Sequence, residues 1–429
     1  MGMGLQRYSS MIPLPTFLGL LLVTSEESNN PSRWRRRTAK RRERTEQILT
    51  GIETSGVLPP PLYDAYRRGN KHLSRSCDGI PTLLNSPIDW DKLDGTIDPI
   101  RGGKIRPDTP RGARKRAQVE AFAYVVSELL KNSSKDRHST VSSAIKGTTI
   151  IDAGSGAGNL AIPLAYLLDM ETSENFDNHE IDMLAIDVNE IALQRLAERA
   201  ASIPTIGGNS AIAKIRTLGA DLANADIIMK DIPSDQDVIV VSLHACGAAS
   251  DYAMNLAYKR DAPFVICPCC TAKSLTKRDD SKNSNSHNTV KASSEDYGMN
   301  TSFKRSGATD DITYPRSKWL NNAIMSLDAT NNSSKSHRKN EYALLAKVAD
   351  VGLGPQTPTQ QREHQRRSKK IIELDRLASS SENHGYETDL FRIQHHDPRE
   401  YGKGELLLGA KKGSVAADVF SSLHVKYTE

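Results

Sequence analysis

The chain is poor in aromatic residues. Seven Phe, 13 Tyr and three Trp amount to 5% of its 429 residues, and few of them are interleaved with the basic stretches, so base-stacking recognition of single strands has no support. Five cysteines are too few for a disulfide framework in a chain of this length and favour a reducing compartment. Hydrophobic residues reach only 38%, so a good part of the length is not expected to enter a core. Long apolar runs are missing too. Met11 to Val23 is apolar but short and broken by Pro13 and Pro15, too brief to cross a bilayer. Only Arg7 precedes it and no small-x-small cleavage site follows, which argues against a secretory signal. No membrane association is expected.

What is present begins with Thr148-Thr149-Ile150-Ile151-Asp152-Ala153-Gly154-Ser155-Gly156-Ala157-Gly158, followed by Asn159-Leu160-Ala161-Ile162-Pro163-Leu164-Ala165. An apolar run ending in an acid, three alternate glycines and then a helical pattern read as a buried parallel strand, a tight turn and a helix N-terminus. Such a turn lets a ligand approach the backbone, and the helix start offers N–H groups to an anionic part of it. A dinucleotide fingerprint wants G-x-G-x-x-G/A. Here the last glycine falls one position early, and the G-x-G-x-G spacing favours S-adenosylmethionine. A second strand pattern, Asp182 to Ile186, stops at Asp187, with a helical pattern over Asn189 to Arg199 behind it. A carboxylate at that place can accept from both ribose hydroxyls. The polar segment Asp169 to Glu180 lengthens the gap from glycines to acid beyond the usual ~20 residues and implies a loop insertion. Asp152 is expected to anchor the loop, Gly154, Gly156 and Gly158 to form it, and Asp187 to hold the ribose.

A third strand pattern, Ala211 to Leu218, leads to Gly219-Ala220-Asp221. Asp221 is a candidate for the adenine amino group, or simply the N-cap of a helix over Leu222 to Met229. Asp237 to Leu243 then forms a nearly unbroken apolar strand that ends at His244-Ala245-Cys246-Gly247. After a helix Tyr252 to Tyr258, a fifth strand Ala262 to Ile266 ends at Cys267-Pro268-Cys269-Cys270. Ligands of open α/β sheets sit at the carboxyl ends of strands, so both clusters belong to that rim. His244 can serve as a general base near neutral pH, and Cys246 or Cys269 as a covalent nucleophile toward a pyrimidine ring. Together with Cys270 these side chains also include zinc's preferred donors. The Cys-Pro-Cys-Cys spacing is not a usual knuckle, however, and no metal ligand set is assigned. Packing around the acceptor pocket is a further reading of the same cysteines. His244, Cys246, Cys269 and Cys270 stand as the candidate catalytic residues.

Here the order of elements and the residues resemble a known family. Leu243-His244-Ala245-Cys246-Gly247-Ala248-Ala249-Ser250-Asp251 and Phe264-Val265-Ile266-Cys267-Pro268-Cys269-Cys270 look like the methyltransferase-like domain of the glutathione S-transferase C-terminal domain-containing proteins. The resemblance takes in Asp89-Trp90-Asp91-Lys92-Leu93, Asp98-Pro99, Gly102-Gly103 and Arg114-Lys115-Arg116-Ala117-Gln118 upstream. Downstream it includes Tyr314-Pro315-Arg316-Ser317 and Leu374-Asp375-Arg376-Leu377, so that it covers roughly Asp89 to Lys412. More distantly, the His-x-Cys-Gly and Cys-Cys pair is similar to the tRNA 2′-O-methyltransferase family with a CHHC finger. No CHHC finger and no glutathione-binding half is visible before Asp89. The resemblance implies S-adenosylmethionine binding and leaves the substrate open.

The remaining length is punctuated by polar segments. Lys273 to Asp311 has the composition of a disordered insertion, and Asp328 to Lys339 and Gly352 to Arg367 are polar spacers around an ordered element at Glu341 to Ala349. Arg366 to Ser379 reads as a helix that buries Ile371, Ile372, Leu374 and Leu377. Glu387 to Ile393 and Glu405 to Ala410 flank a polar turn carrying His395 and His396, most simply solvated. The expected fold is α/β: a Rossmann-like, seven-stranded S-adenosylmethionine-dependent methyltransferase sheet closed by a C-terminal antiparallel hairpin. Its domain is expected over 86–412, after a flexible basic region 1–85 and before a tail 413–429.

Net charge is +5, and the excess is local. Arg33 to Arg44 is densely basic and reads as a transit peptide, a nuclear or RNA-binding arm, or a solvated tail. Cytoplasm or nucleus is expected, with organelle import left open. Arg101, Lys104, Arg106, Arg111, Arg114, Lys115 and Arg116 make a second basic approach, to a helix over Gln118 to Leu130. If the methyl acceptor is RNA, segments 33–44 and 101–116 would meet its phosphates and give salt-sensitive binding. A non-catalytic module that keeps the fold, and a metal or redox sensor built on the cysteines, remain as other classes.

Overall fold

The computed structural model describes residues 31–54, 82–83, 88–103, 105–106, 109–137, 147–175, 180–203, 214–243, 245–271, 312–327, 335–350, 358–393 and 404–428. Met11 to Val23, Lys273 to Asp311, His244, Lys104, His395 and His396 lie outside them. The chain forms two compact units, Met1–Arg44 and Thr45–Glu429. The described part of the first unit is helical, the opening of α1 (Pro31–Thr54), and thus not the irregular arm expected there. Proline at the first helical position is pre-set for a helix, and the Arg, Lys, Ala and Glu residues behind it favour one.

The second unit is built on one sheet. Its strands are β1 (Thr82–Leu83), β2 (Thr148–Ala153), β3 (Ile181–Asp187), β4 (Ile215–Gly219), β5 (Asp237–Leu243), β6 (Phe264–Cys267), β7 (Tyr386–Ile393) and β8 (Glu405–Lys411), in the spatial order β1-β7-β8-β6-β5-β2-β3-β4. Strands β2 to β6 pair in parallel, and β8 runs antiparallel to both β6 and β7. The seven strands and the closing hairpin are those expected. The two-residue β1, from the segment assigned to the flexible region, extends them by pairing parallel to β7.

Alternation along the central strands feeds two cores. Ile150, Met183, Ile239 and Val265 face one and Ile151, Leu184, Val240 and Ile266 the other, as the two-residue period of a strand requires. The first core is covered by α2 (Pro110–Arg137), α3 (Ala161–Asn175), α4 (Glu190–Ala201) and α10 (Val415–Thr428). The second is covered by the end of α1 with α5 (Ala225–Lys230), α6 (Ala248–Lys259), α7 (Lys318–Ser326), α8 (Lys335–Ala349) and α9 (Thr359–His384). Both faces of the sheet are therefore dry, which is why its strands read as unbroken apolar runs.

Three boundaries differ from expectation. α8 starts at Lys335 and α9 at Thr359, inside segments read as polar spacers. In each case the apolar stripe that packs lies further along, and its helix extends backward through strong helix formers. The stretch after 412 is helix α10, with Ala417, Val419, Phe420 and Leu423 buried, so it belongs to the core. At the other end Ile48 and Leu49 of α1 are fully buried, and Arg367 joins Glu46 and Glu53 across the same packing. No described helix is long and apolar enough to cross a membrane.

Candidate functional site: a glycine loop beside a three-cysteine rim

The turn after β2 carries Gly154, Gly156 and Gly158 at φ of 81°, 54° and 77°, the left-handed region that side chains disfavour. Its amides are tied to the next strand. Gly154 and Ser155 N–H donate to the Ile186 carbonyl at 2.8 and 2.9 Å, and Gly156 N–H donates to Asp187 Oδ2 at 2.9 Å. The other carboxylate oxygen of Asp187 accepts from Asn189 N–H at 2.8 Å. Asp187 thus braces both the loop and the start of α4. A carboxylate offers about four lone-pair sites, so each oxygen keeps capacity for a hydroxyl.

Arg199, which the sequence showed only as a cation at a helix end, secures the loop from behind. Its Nη1 donates to the Ala157 carbonyl at 3.3 Å and Asn159 Oδ1 at 3.1 Å, and its other nitrogens reach the carbonyls of Thr96 and Ile97. Burial lowers its pKa to about 10. The Gly102-Gly103 pair closes over it. A Cβ on Gly102 would come 2.4 Å from the guanidinium, and one on Gly103 would come 2.5 Å from the Pro99 carbonyl and 3.2 Å from Asn159 Oδ1. The same segment is locked by buried Asp98, which accepts from Arg101 Nε at 2.9 Å and Arg116 Nη2 at 2.7 Å. Two cations of the expected phosphate-binding stretch are therefore engaged in ion pairs at this hub.

Asp152, the acid before the glycines, is 1% exposed. Neither of its oxygens makes a hydrogen bond of normal geometry among the described residues, and Ser155 Oγ is likewise buried and unpaired. Burial, reinforced by the nearby Asp187 charge, pushes Asp152 up to about 7, with only the Ala161 amide opposing. Unsatisfied buried acceptors beside a loop open enough that a Cβ on Gly156 would meet nothing within 4 Å suit a ligand carrying a cation and hydroxyls. Those are the groups of S-adenosylmethionine, and the residues fit it. Val188, next to Asp187, is left 47% exposed and adds apolar surface. Asp221 does not cap a helix: its Oδ1 accepts from Ala223 N–H at 3.0 Å in the turn before α5, whose N-cap is Asn224.

The rim of β5 and β6 lies beside this loop, since a Cβ on Gly154 would lie 3.6 Å from Ala245 Cβ. Strand register pairs Leu243 with Cys267, so the segments past them emerge side by side. Cys246 Sγ lies 2.9 Å from Cys269 Sγ and 2.7 Å from Cys270 Sγ, and Cys269 and Cys270 are 3.4 Å apart. All three are half-buried. Cys267 is set apart: fully buried, with Gln118 Nε2 donating to its sulfur at 3.4 Å, and pushed up to about 12 by burial. It is a packing residue. Hydrogen bonding to Cys269 and Cys270, then burial, drive the Cys246 thiol well above its ordinary value, which disfavours it as a lone nucleophile.

Behind the rim lies a buried ionic lattice. Arg376 donates to Asp251 Oδ1 at 2.9 Å, Glu373 Oε2 at 2.8 Å and the Gly247 carbonyl at 3.1 Å. Arg316 Nη1 donates to Asp251 Oδ1 at 2.7 Å. Lys369 bonds Glu373 at 2.7 Å and the Pro268 carbonyl at 3.3 Å. Asp375 accepts from the Arg316 and Ser317 amides and from Ser317 Oγ. The resembling motifs Tyr314-Pro315-Arg316-Ser317 and Leu374-Asp375-Arg376-Leu377 thus interlock, and together they hold the two rim loops. The signal for this was an Asp-Arg pair inside an apolar helical stripe, a place charges occupy only when paired.

Residues 114–277 match the model of a family described as a methyltransferase domain. A glutathione S-transferase C-terminal domain-containing protein of Bos taurus is 24% identical over 309 residues, 72% of this chain and 34% of that one. A homolog from Drosophila pseudoobscura pseudoobscura is 30% identical over 199 residues, 46% of this chain and 26% of that one. This chain therefore spans about a third or less of the length of these curated relatives. Among solved structures, the plantazolicin methyltransferase BpumL in complex with SAH aligns with 75% of this chain and 97% of that one, at 9% identity and a TM-score of 0.22, too low to carry structural detail. Residues 114–277 thus match a methyltransferase domain, and S-adenosylmethionine is the cofactor that this match and the crevice indicate.

Proposed function

We propose that this chain transfers a methyl group to RNA at the rim where β5 and β6 end. The observation that carries methyl transfer is the pairing of two features: a left-handed glycine loop with orphaned Asp152 and Ser155 acceptors beside it, and Ala245 beside that loop, 3.6 Å from where a Cβ on Gly154 would stand. S-adenosylmethionine, when bound, supplies the methyl as a sulfonium substituent. The protein's share is mostly alignment. Asp187 braces the loop and has capacity left for a ribose, and the ionic lattice fixes the rim against which the acceptor must lie. Support for RNA comes from Arg106 and Arg111, which stay exposed, and from Arg114 and Lys115, which stand near Cys269. Phosphates of an RNA acceptor would be met by such cations.

Calorimetric titration with S-adenosylhomocysteine on the wild type and Asp187→Ala tests the cofactor part, with melting curves to score the lost brace separately. Affinity is expected to fall at least roughly tenfold, about 1.4 kcal/mol, and an unchanged value would remove the ribose role. Tritiated-methyl transfer to total RNA and total protein tests the acceptor. Label in RNA, weakened by Arg111→Ala and by added salt, is the expected result. Label in protein alone would sink the RNA proposal, and binding without any transfer would mark a non-catalytic module.

A further inference from the structure

We propose that Cys246, Cys269 and Cys270 form a three-thiolate site for zinc at the rim of β5 and β6. The placement comes from two neighbouring parallel strands whose register brings their trailing segments together. It does not follow the spacing of a knuckle, which is why the sequence alone did not assign it. The three sulfurs lie 2.7 to 3.4 Å from one another. That is closer than sulfur atoms rest in van der Waals contact, yet well outside the ~2.05 Å of a disulfide. Three neutral thiols at this separation crowd their hydrogens. Release of the protons to solvent and their replacement by a cation about 2.3 Å from each sulfur would relieve the crowding and spread the triangle to roughly 3.8 Å per side in a tetrahedral arrangement.

The framework is built to hold such a site. Gly247 N–H donates to the Cys270 carbonyl at 3.0 Å, stitching the two loops together. Arg376 grips the Gly247 carbonyl and Lys369 the Pro268 carbonyl. Directly after Cys270, Thr271 donates to Asp350 Oδ1 through its amide at 2.6 Å and its hydroxyl at 2.9 Å. Every loop segment that bears a ligand is thus pinned by a buried side chain or a backbone bond, the supporting shell that orients metal ligands.

Charge favours the metal too. Three thiolates with one Zn²⁺ leave a net charge of −1, and Arg114 and Lys115 stand close enough to Cys269 to feel it. Lys115 is buried, and an adjacent anionic metal centre would compensate its charge. The three residues are only partly buried, and a fourth donor outside this set would complete the coordination, as in the open form of zinc site. Binding releases the thiol protons and involves no change of oxidation state.

The test uses the full chain, purified under reducing conditions without chelator, with metal read by mass spectrometry and thiols by titration. About one zinc per chain is expected. Cys246→Ala, Cys269→Ala and Cys270→Ala should each fall below a tenth of that, whereas Cys267→Ala should keep it. Should the variants fail to fold, cobalt substitution in the wild type decides: intense sulfur-to-cobalt absorption in the near ultraviolet supports the site. No zinc taken up on reconstitution while all three thiols remain titratable would overturn it, as would a disulfide among them in the reduced preparation. S-adenosylhomocysteine binding, measured on the same samples, keeps this outcome separate from the methyl-transfer reading.

Discussion

A Cβ at Gly158 would come 2.7 Å from Leu196 Cγ and 3.0 Å from Ile162 Cδ1, whereas one at Gly156 would meet nothing within 4 Å. Both positions have positive φ, so alanine is strained at either. Only at Gly158 does it also overpack the join between loop and α4. Gly158→Ala is expected to cost roughly 2–4 kcal/mol in urea unfolding. Gly156→Ala should cost only about 1 kcal/mol in stability while weakening S-adenosylhomocysteine at least tenfold. Equal effects of the two on unfolding would refute this division. Asp152 gives a pH prediction. Its folded pKa is raised to about 7 from 3.8, so the folded protein holds the proton more tightly than the unfolded chain does. Stability conferred by the protonated form is therefore lost as pH climbs from about 4 to 7, by up to roughly 4 kcal/mol. Asp152→Asn should flatten that slope in denaturant unfolding at about pH 5 and pH 8, and parallel curves for the two proteins would contradict it.

At the scale of elements, the two strand ends, α6 and α9 are held by charges. Arg376 reaches Asp251 across 125 positions of chain and Gly247 across 129. Its neighbours Asp251 and Glu373 are held below the ordinary carboxylate range by Arg376 despite a desolvation penalty of the opposite sign. Removing one partner of a buried pair leaves the other uncompensated, which costs about 3–5 kcal/mol. Arg376→Ala should therefore melt far below the wild type, and Arg376→Lys should recover little, since a single ammonium cannot reproduce the planar fork. A melting temperature within a degree or so of the wild type for the alanine variant would show the lattice to be dispensable. None of these partnerships was legible beforehand. The apolar periodicity of Ile371, Ile372, Leu374 and Leu377 did announce the helix, because burial of one stripe needs only local spacing.

For the molecule as a whole, both termini of the described second unit enter the core. Val419, Phe420 and Leu423 of α10 are 6%, 4% and 3% exposed. At roughly 1.5–3 kcal/mol for each such side chain, their loss rivals the total stability of a domain, about 5–15 kcal/mol. A chain ending at Gly413 is expected to lose its cooperative thermal transition in calorimetry, and a truncated protein that unfolds like the full one would restore the reading of this stretch as a tail. The reading as a tail passed over apolar residues at helical spacing, Val419, Phe420 and Leu423, which form the buried face.

The succession of strands along the chain, the glycine loop, the places of Asp152 and Asp187 at strand ends and the rim position of the cysteines were legible in the sequence, since each depends on local periodicity or on a turn that few residues tolerate. The tertiary structure alone decided that Arg199 backs the loop, that Asp98 engages Arg101 and Arg116, and that Cys246 meets Cys269 and Cys270. Those contacts join segments far apart in the chain. No local spacing encodes them, because the sheet's register and the packing on its two faces determine which side chains arrive together.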